Sequence, residues 1–107
     1  RPAGIYKNKG GFIVAKRQEK ELFRIEWEGE VMEIHLFGDI LPNTMFQSII
    51  ELMKVNRESE HPKRVRFVVS SSMMLISVKY AIPSEFYESI ELEGQSKKDG
   101  LKNAACL

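Results

Sequence analysis

A chain of 107 residues with 43% hydrophobic and 29% charged side chains has the composition of one ordinary globular domain, able to bury a modest core unaided. No apolar run approaches the roughly 20 residues that cross a bilayer, no charged-then-apolar leader opens the chain, and the single cysteine, Cys106, excludes an internal disulfide or a cysteine zinc site within one monomer. The net charge of +1 divides into +5 over residues 1–20, −6 over 21–62 and +2 over 63–107, an asymmetry that bears on partners rather than on fold.

The first structured stretch is GIYKNKGGFIVAKR. Asn8-Lys9-Gly10-Gly11 reads as a hairpin turn, because paired glycines supply the positive φ that tight turns require. A short strand over Ile5–Lys7 precedes it and a longer one over Phe12–Arg17 follows, with Gln18–Lys20 as the next connection. In FRIEWEGEVMEI, alternate residues Phe23, Ile25 and Trp27, then Met32, Ile34 and Leu36, share one face if the turn at Gly29 has two residues. Glu28-Gly29 at the corners would place Glu28 at positive φ, costing about 1–2 kcal/mol. Gly29-Glu30 sets Glu26 opposite Glu33 at a cost of only about 0.2–1 kcal/mol on a wet face, so the reading leans to that pair. Either way Glu26 and Glu33 lie opposite the tryptophan.

Thr44 three residues before Gln47 has the spacing of a capping box. Phe46, Ile49, Ile50 and Met53 then recur at helical intervals, with Met45, Leu52 and Val55 widening the stripe and Pro62 barring continuation. In KRVRFVVSSSMMLISVKYAI, Val65, Phe67 and Val69 alternate as a strand. After a break at Ser70–Ser72, Met74, Ile76, Val78, Tyr80 and Ile82 alternate as another. Pro83-Ser84 opens room for a short helix carrying Phe86, Tyr87 and Ile90. From Gly94 the composition turns polar, which predicts a flexible tail. The expected architecture is α+β: a mainly antiparallel sheet of about six strands packed on one principal helix, with the option of a short C-terminal helix. It forms a single domain over residues 1–93 and a tail over 94–107. Phe23, Ile25, Trp27, Ile34, Phe46, Ile49, Ile50, Met53, Phe67 and Val69 are the expected core.

Candidate chemistry is sparse. Glu26 and Glu33 have the residue type of an acid–base pair or of hard-metal ligands, but acid–base work needs carboxylates whose environments differ, and alternation predicts a shared exposed face. His35 shares that face, and His61 precedes Pro62 in a loop. Neither has a partner at H-x-x-x-H spacing, so no metal or cofactor is expected. The serine triplet lacks the flanking glycines of a nucleophile elbow, and Cys106 has no basic setting to activate it. Asn8–Gly11 has too few glycines for a nucleotide-phosphate loop. The basic residues Lys7, Lys9, Lys16, Arg17 and Lys20, interleaved with Tyr6 and Phe12, could contact phosphates and stack on a base. Edge protection of an exposed strand explains the same lysines more plainly, and Arg64 and Arg66 would extend any such patch.

GIYKNKGGFIVAKR resembles the start of the three-stranded domains of plant ethylene-response factors and of the arm-binding domains of phage integrases. That resemblance implies DNA reading by a sheet backed by a helix, although glutamates follow where such a reader carries arginines. IHLFGDI, a helix and RVRFVV resemble the first strand–helix–strand unit of Clp-type proteases and of anti-sigma-factor antagonist domains. SSSMM, however, lacks the glycine pair a Clp-type protease would need. No family membership is taken from either. The expected function is that of a non-enzymatic interaction module, cytoplasmic by default, acting through a sheet edge or charged face on a protein partner. Weak nucleic-acid binding through the basic hairpin is the alternative. Homo-oligomerisation stays open, and no membrane association is expected.

Overall fold

A computed structural model describes residues 4–8, 11–17 and 20–94, with backbone alone for residues 4–8 and 12. Among the described residues the elements run β1 (Gly4–Asn8), β2 (Phe12–Arg17), β3 (Lys20–Glu28), β4 (Val31–Leu36), α1 (Asn43–Glu58), β5 (Arg64–Val69), α2 (Ser72–Ala81) and β6 (Ser89–Leu92), with a 3₁₀ turn at Ser84–Phe86. The strands form one sheet in sequence order. β1 to β4 make an antiparallel meander, whereas β4–β5 and β5–β6 are parallel. The class is α+β, but the sheet is mixed and two helices cover it, which corrects the expectation of a mainly antiparallel sheet on one principal helix. The physical reason is connectivity: parallel neighbours cannot be joined by a tight turn and need a crossover. Here α1 and α2 each supply one.

Glycine geometry sets the β1–β2 and β3–β4 hairpins. Glu28 pairs with Val31 and Glu26 with Glu33, so the β3–β4 corner residues are Gly29 and Glu30. Gly29 has φ +59°, the sign that the first corner of such a turn demands. Gly11, at φ +83°, closes the β1–β2 loop in a tighter place. The Trp27 N–H donates to its carbonyl at 3.1 Å, and a Cβ there would sit 3.1 Å from the Trp27 oxygen. Between Ala15 and Lys16 the pairing slips past Leu22 of β3, a bulge that increases local twist.

The core lies on one face of the sheet. Ala15, Phe23, Ile25, Met32, Ile34, Leu36, Val65, Phe67, Val69 and Ile90 are buried there against both helices. α1 contributes Met45, Phe46, Ile49 and Met53. Ile50 and Trp27 are only partly buried, because they flank the contact stripe rather than occupy its centre. The capping box does not form: α1 begins at Asn43 after Pro42, with no side-chain cap, and Thr44 already lies inside the first turn. At the other end Asn56 clamps the exit loop. Its amide donates to the Lys63 carbonyl and its oxygen accepts from the Lys63 N–H, both at 2.9 Å.

The segment Met74–Ile82, expected as a strand, is mostly α2, and Ile82 is its C-cap. Met74, Leu75, Val78 and Ile82 are buried, while Ile76 is 57% and Tyr80 93% exposed. The apolar residues fit either period on paper, and burial follows the helical one. Ser71 decides the start, its hydroxyl accepting from the Met74 N–H at 3.1 Å as an N-cap. The C-terminal helix shrinks to the 3₁₀ turn, after which Ile90 enters the core from β6. Gly94 ends a turn after that strand, and the expected tail lies, from residue 95 on, outside the described residues.

Candidate functional site: the sheet face opposite the helices

With the helices on one face, alternation turns the other residues of β3 to β6 outward from the core. Cross-strand register arranges them in two rows, Glu26–Glu33–Arg66–Ser89 and Arg24–His35–Val68–Glu91. All eight are half-buried, because neighbours on a pleated surface shield one another.

Charges on this face form two groups of ion pairs. His35 Nε2 lies 2.8 Å from Glu33 Oε1 and 3.8 Å from Glu26 Oε2. Arg24 pairs with Glu21 and stands 3.9 Å from Glu26 Oε1. The hydrogen bond to Glu21 raises the Arg24 guanidinium above its ordinary value, against the opposing effect of burial. Arg64 grips Glu88 with two N–H groups, at 3.1 and 2.6 Å, and Arg66 Nε is 3.7 Å from the same carboxylate. That grip holds the Glu88 carboxyl below the usual carboxylate range. Exposed pairs of this kind contribute little to stability; their role is to fix the directions of side chains. Beside the first row lies a shallow depression of about 670 Å³, walled by Trp27, Val31, Glu26, Glu33 and Arg66.

Glu26 and Glu33 thus share one face, as alternation implies, and the hairpin register sets them directly opposite each other. Sequence spacing missed that His35 converges on both. A search for H-x-x-x-H tests one helix face, whereas these donors come from two strands. The available signal was E-x-H within one strand combined with the two-residue turn, which fixes the cross-strand partner of Glu33.

Among the described residues the backbone positions of the basic candidates fall at two ends of β2. Lys7 pairs in register with Ile13 near the Gly11 turn. Lys16 pairs with Glu21, and Arg17 with Lys20, at the other end of β2. At about 3.4 Å per residue the two ends are separated by roughly 15 Å. Lys16 is half-buried, Arg17 and Lys20 are exposed, and Lys9 lies outside the described residues. Arg64 and Arg66 sit three strands away from β2 and engage Glu88. The serine triplet is a helix cap rather than a hairpin loop: Ser70 and Ser71 hydroxyls both donate to the Gly38 carbonyl at 3.2 Å. His61 is exposed in the loop after α1, and Cys106 lies outside the described residues.

Among the described residues no helix is long and apolar enough to cross a membrane. No family model matches the chain, and neither the curated proteins nor the solved structures give a match.

Proposed function

We propose that this chain is a non-enzymatic interaction module that docks a protein partner on the charged face of its sheet opposite the helices. The observation that carries this reading is the parallel segment β4–β5–β6, half-covered among the described residues. Parallel strands ordinarily have both faces packed. Here one face carries the helices and the other presents ordered charges of both signs around half-buried Val31 and Val68. A surface that mixes Glu26, Glu33 and Glu91 with Arg24 and Arg66 complements another protein's mixed charges, which steers encounter and fixes register.

The same mixture disfavours a phosphate backbone, which a row of glutamates repels. The nucleic-acid alternative retains one supporting observation, the exposed neighbours Arg17 and Lys20 at the β2–β3 end. A labelled mixed-sequence oligonucleotide tests it by fluorescence anisotropy, since phosphate contacts through Lys7, Lys9, Lys16, Arg17 and Lys20 would weaken with added salt.

The docking reading is tested by photo-crosslinking in cells that make the protein. A photoreactive residue at Val68 is compared with one at Ser48, on the outer side of α1. A discrete protein adduct from Val68 but not from Ser48, lost when Glu33→Arg and Arg66→Glu are added, supports the module. Equal adducts at both positions, or none at Val68, overturn it.

A further inference from the structure

We propose that Glu26, Glu33 and His35 form a binding site for a divalent transition-metal ion, with Zn²⁺ the best match. This inference stands apart from the docking reading and survives its failure. Glu26 and Glu33 are direct cross-strand partners, and His35 is two residues beyond Glu33 on the same side of β4. One carboxylate oxygen from each glutamate and an imidazole nitrogen lie within 4.8 Å of one another. Zn²⁺ holds such donors at roughly 2.0–2.2 Å, which in tetrahedral geometry separates them by about 3.4 Å. The two distances from His35 Nε2, 2.8 Å to Glu33 and 3.8 Å to Glu26, bracket that value. Side-chain adjustment would bring all three donors to that spacing, since no pair of them is more than 4.8 Å apart.

Donor chemistry narrows the ion. Ca²⁺ and Mg²⁺ take oxygen ligands, whereas an imidazole joined to two carboxylates suits the borderline first-row ions. Three protein ligands leave a fourth position for water or an incoming side chain, and two of the three, Glu26 and Glu33, also line the depression. Electrostatics points the same way. Two carboxylates set directly opposite on adjacent strands repel. Arg24, at 3.9 Å from Glu26, and Arg66, beside Glu33 in register, offset that only in part, since each also serves another glutamate. An ion between the carboxylates would neutralise them at once. The competing arrangement is a purely ionic triad in which a protonated His35 bridges the two glutamates.

The experiment is a titration of the full chain with ZnCl₂, read by the side-chain nitrogen resonances of its two histidines. His61, exposed in a loop, is the internal control. The site requires the His35 signals to move and saturate at one equivalent while His61 is unaffected, with Mg²⁺ producing no such change. The double variant Glu26→Gln, Glu33→Gln keeps side-chain size on a half-buried face, and its metal-free melting curve reports whether it folds. It should weaken Zn²⁺ binding by more than about tenfold, since losing groups that merely support metal ligands already costs 10–100-fold. A His35 response that matches His61, that persists in the folded double variant, or that is missing at millimolar Zn²⁺ overturns the proposal in favour of the ionic triad.

Discussion

Replacing Val78 and, separately, Ile76 with alanine interrogates the packing of α2 one side chain at a time. In an alternating strand the two residues would share a face and suffer alike. On the helix Val78 is fully buried and Ile76 is 57% exposed. Val78→Ala removes two buried carbons, about 1.6 kcal/mol at roughly 0.8 kcal/mol each, and the cavity left behind adds to that. Alanine's better helix propensity returns about 0.5 kcal/mol, for a net loss of about 1.5–2 kcal/mol. Ile76→Ala removes three carbons, but less than half of their surface is out of water. That loses about 1 kcal/mol and regains about half of it through propensity. Urea denaturation followed by fluorescence of Trp27, the single tryptophan, reads both values. Equal losses at the two positions, or a larger one at Ile76, would refute the helical assignment of this segment.

Other perturbations probe separate features. Gly11→Ala should destabilise by about 1–2 kcal/mol or more, because it adds a side chain at φ +83° and crowds the Trp27 carbonyl; a neutral melting temperature would contradict that. Asn56→Ala removes both hydrogen bonds to Lys63 and should cost about 1–3 kcal/mol, measured by chemical denaturation. Ile49→Asp should unfold the domain, since Ile49 is 1% exposed and an unpaired buried charge exceeds what a small domain can spare; a cooperatively melting variant would refute its place in the core. Burial raises the Tyr87 phenol above its ordinary value of 10.0. The folded state therefore retains a proton that the unfolded chain releases, so this contribution is intact below pH about 10 and falls as pH climbs toward the folded-state value. Phenolate absorbance during an alkaline titration should show a late-ionising component that Tyr87→Phe removes.

Where local chemistry dictates structure, the amino-acid order was readable. The glycines at 11 and 29 announce their hairpins, and Phe46, Ile49 and Met53 announce α1 by spacing alone. The strand Arg64–Val69 follows from alternation. Met74–Ile82 was ambiguous because its apolar residues satisfy both periods, and only the Ser71 cap and the need to return between parallel strands select the helix. Parallel pairing of β4, β5 and β6 depends on contacts far apart in the chain, which no short window encodes. Glu26 and Glu33 were legible as a pair and His35 as sharing their face, because alternation and the two-residue turn suffice for that, while the approach of the imidazole to both carboxylates depends on side-chain directions that spacing does not encode.

That every strand neighbours its sequence successor has a kinetic consequence. No strand must wait for a distant segment to return and fill a gap in the sheet, so each new strand extends an edge that its predecessor has just formed. The longest excursion is the α1 crossover between β4 and β5. Loop-closure entropy is then met in small instalments, the circumstance in which low contact order favours rapid folding. The meander β1–β4 can zip from its glycine turns as the chain emerges from the ribosome, leaving the docking of β5 on β4 as the step whose disruption should slow folding most.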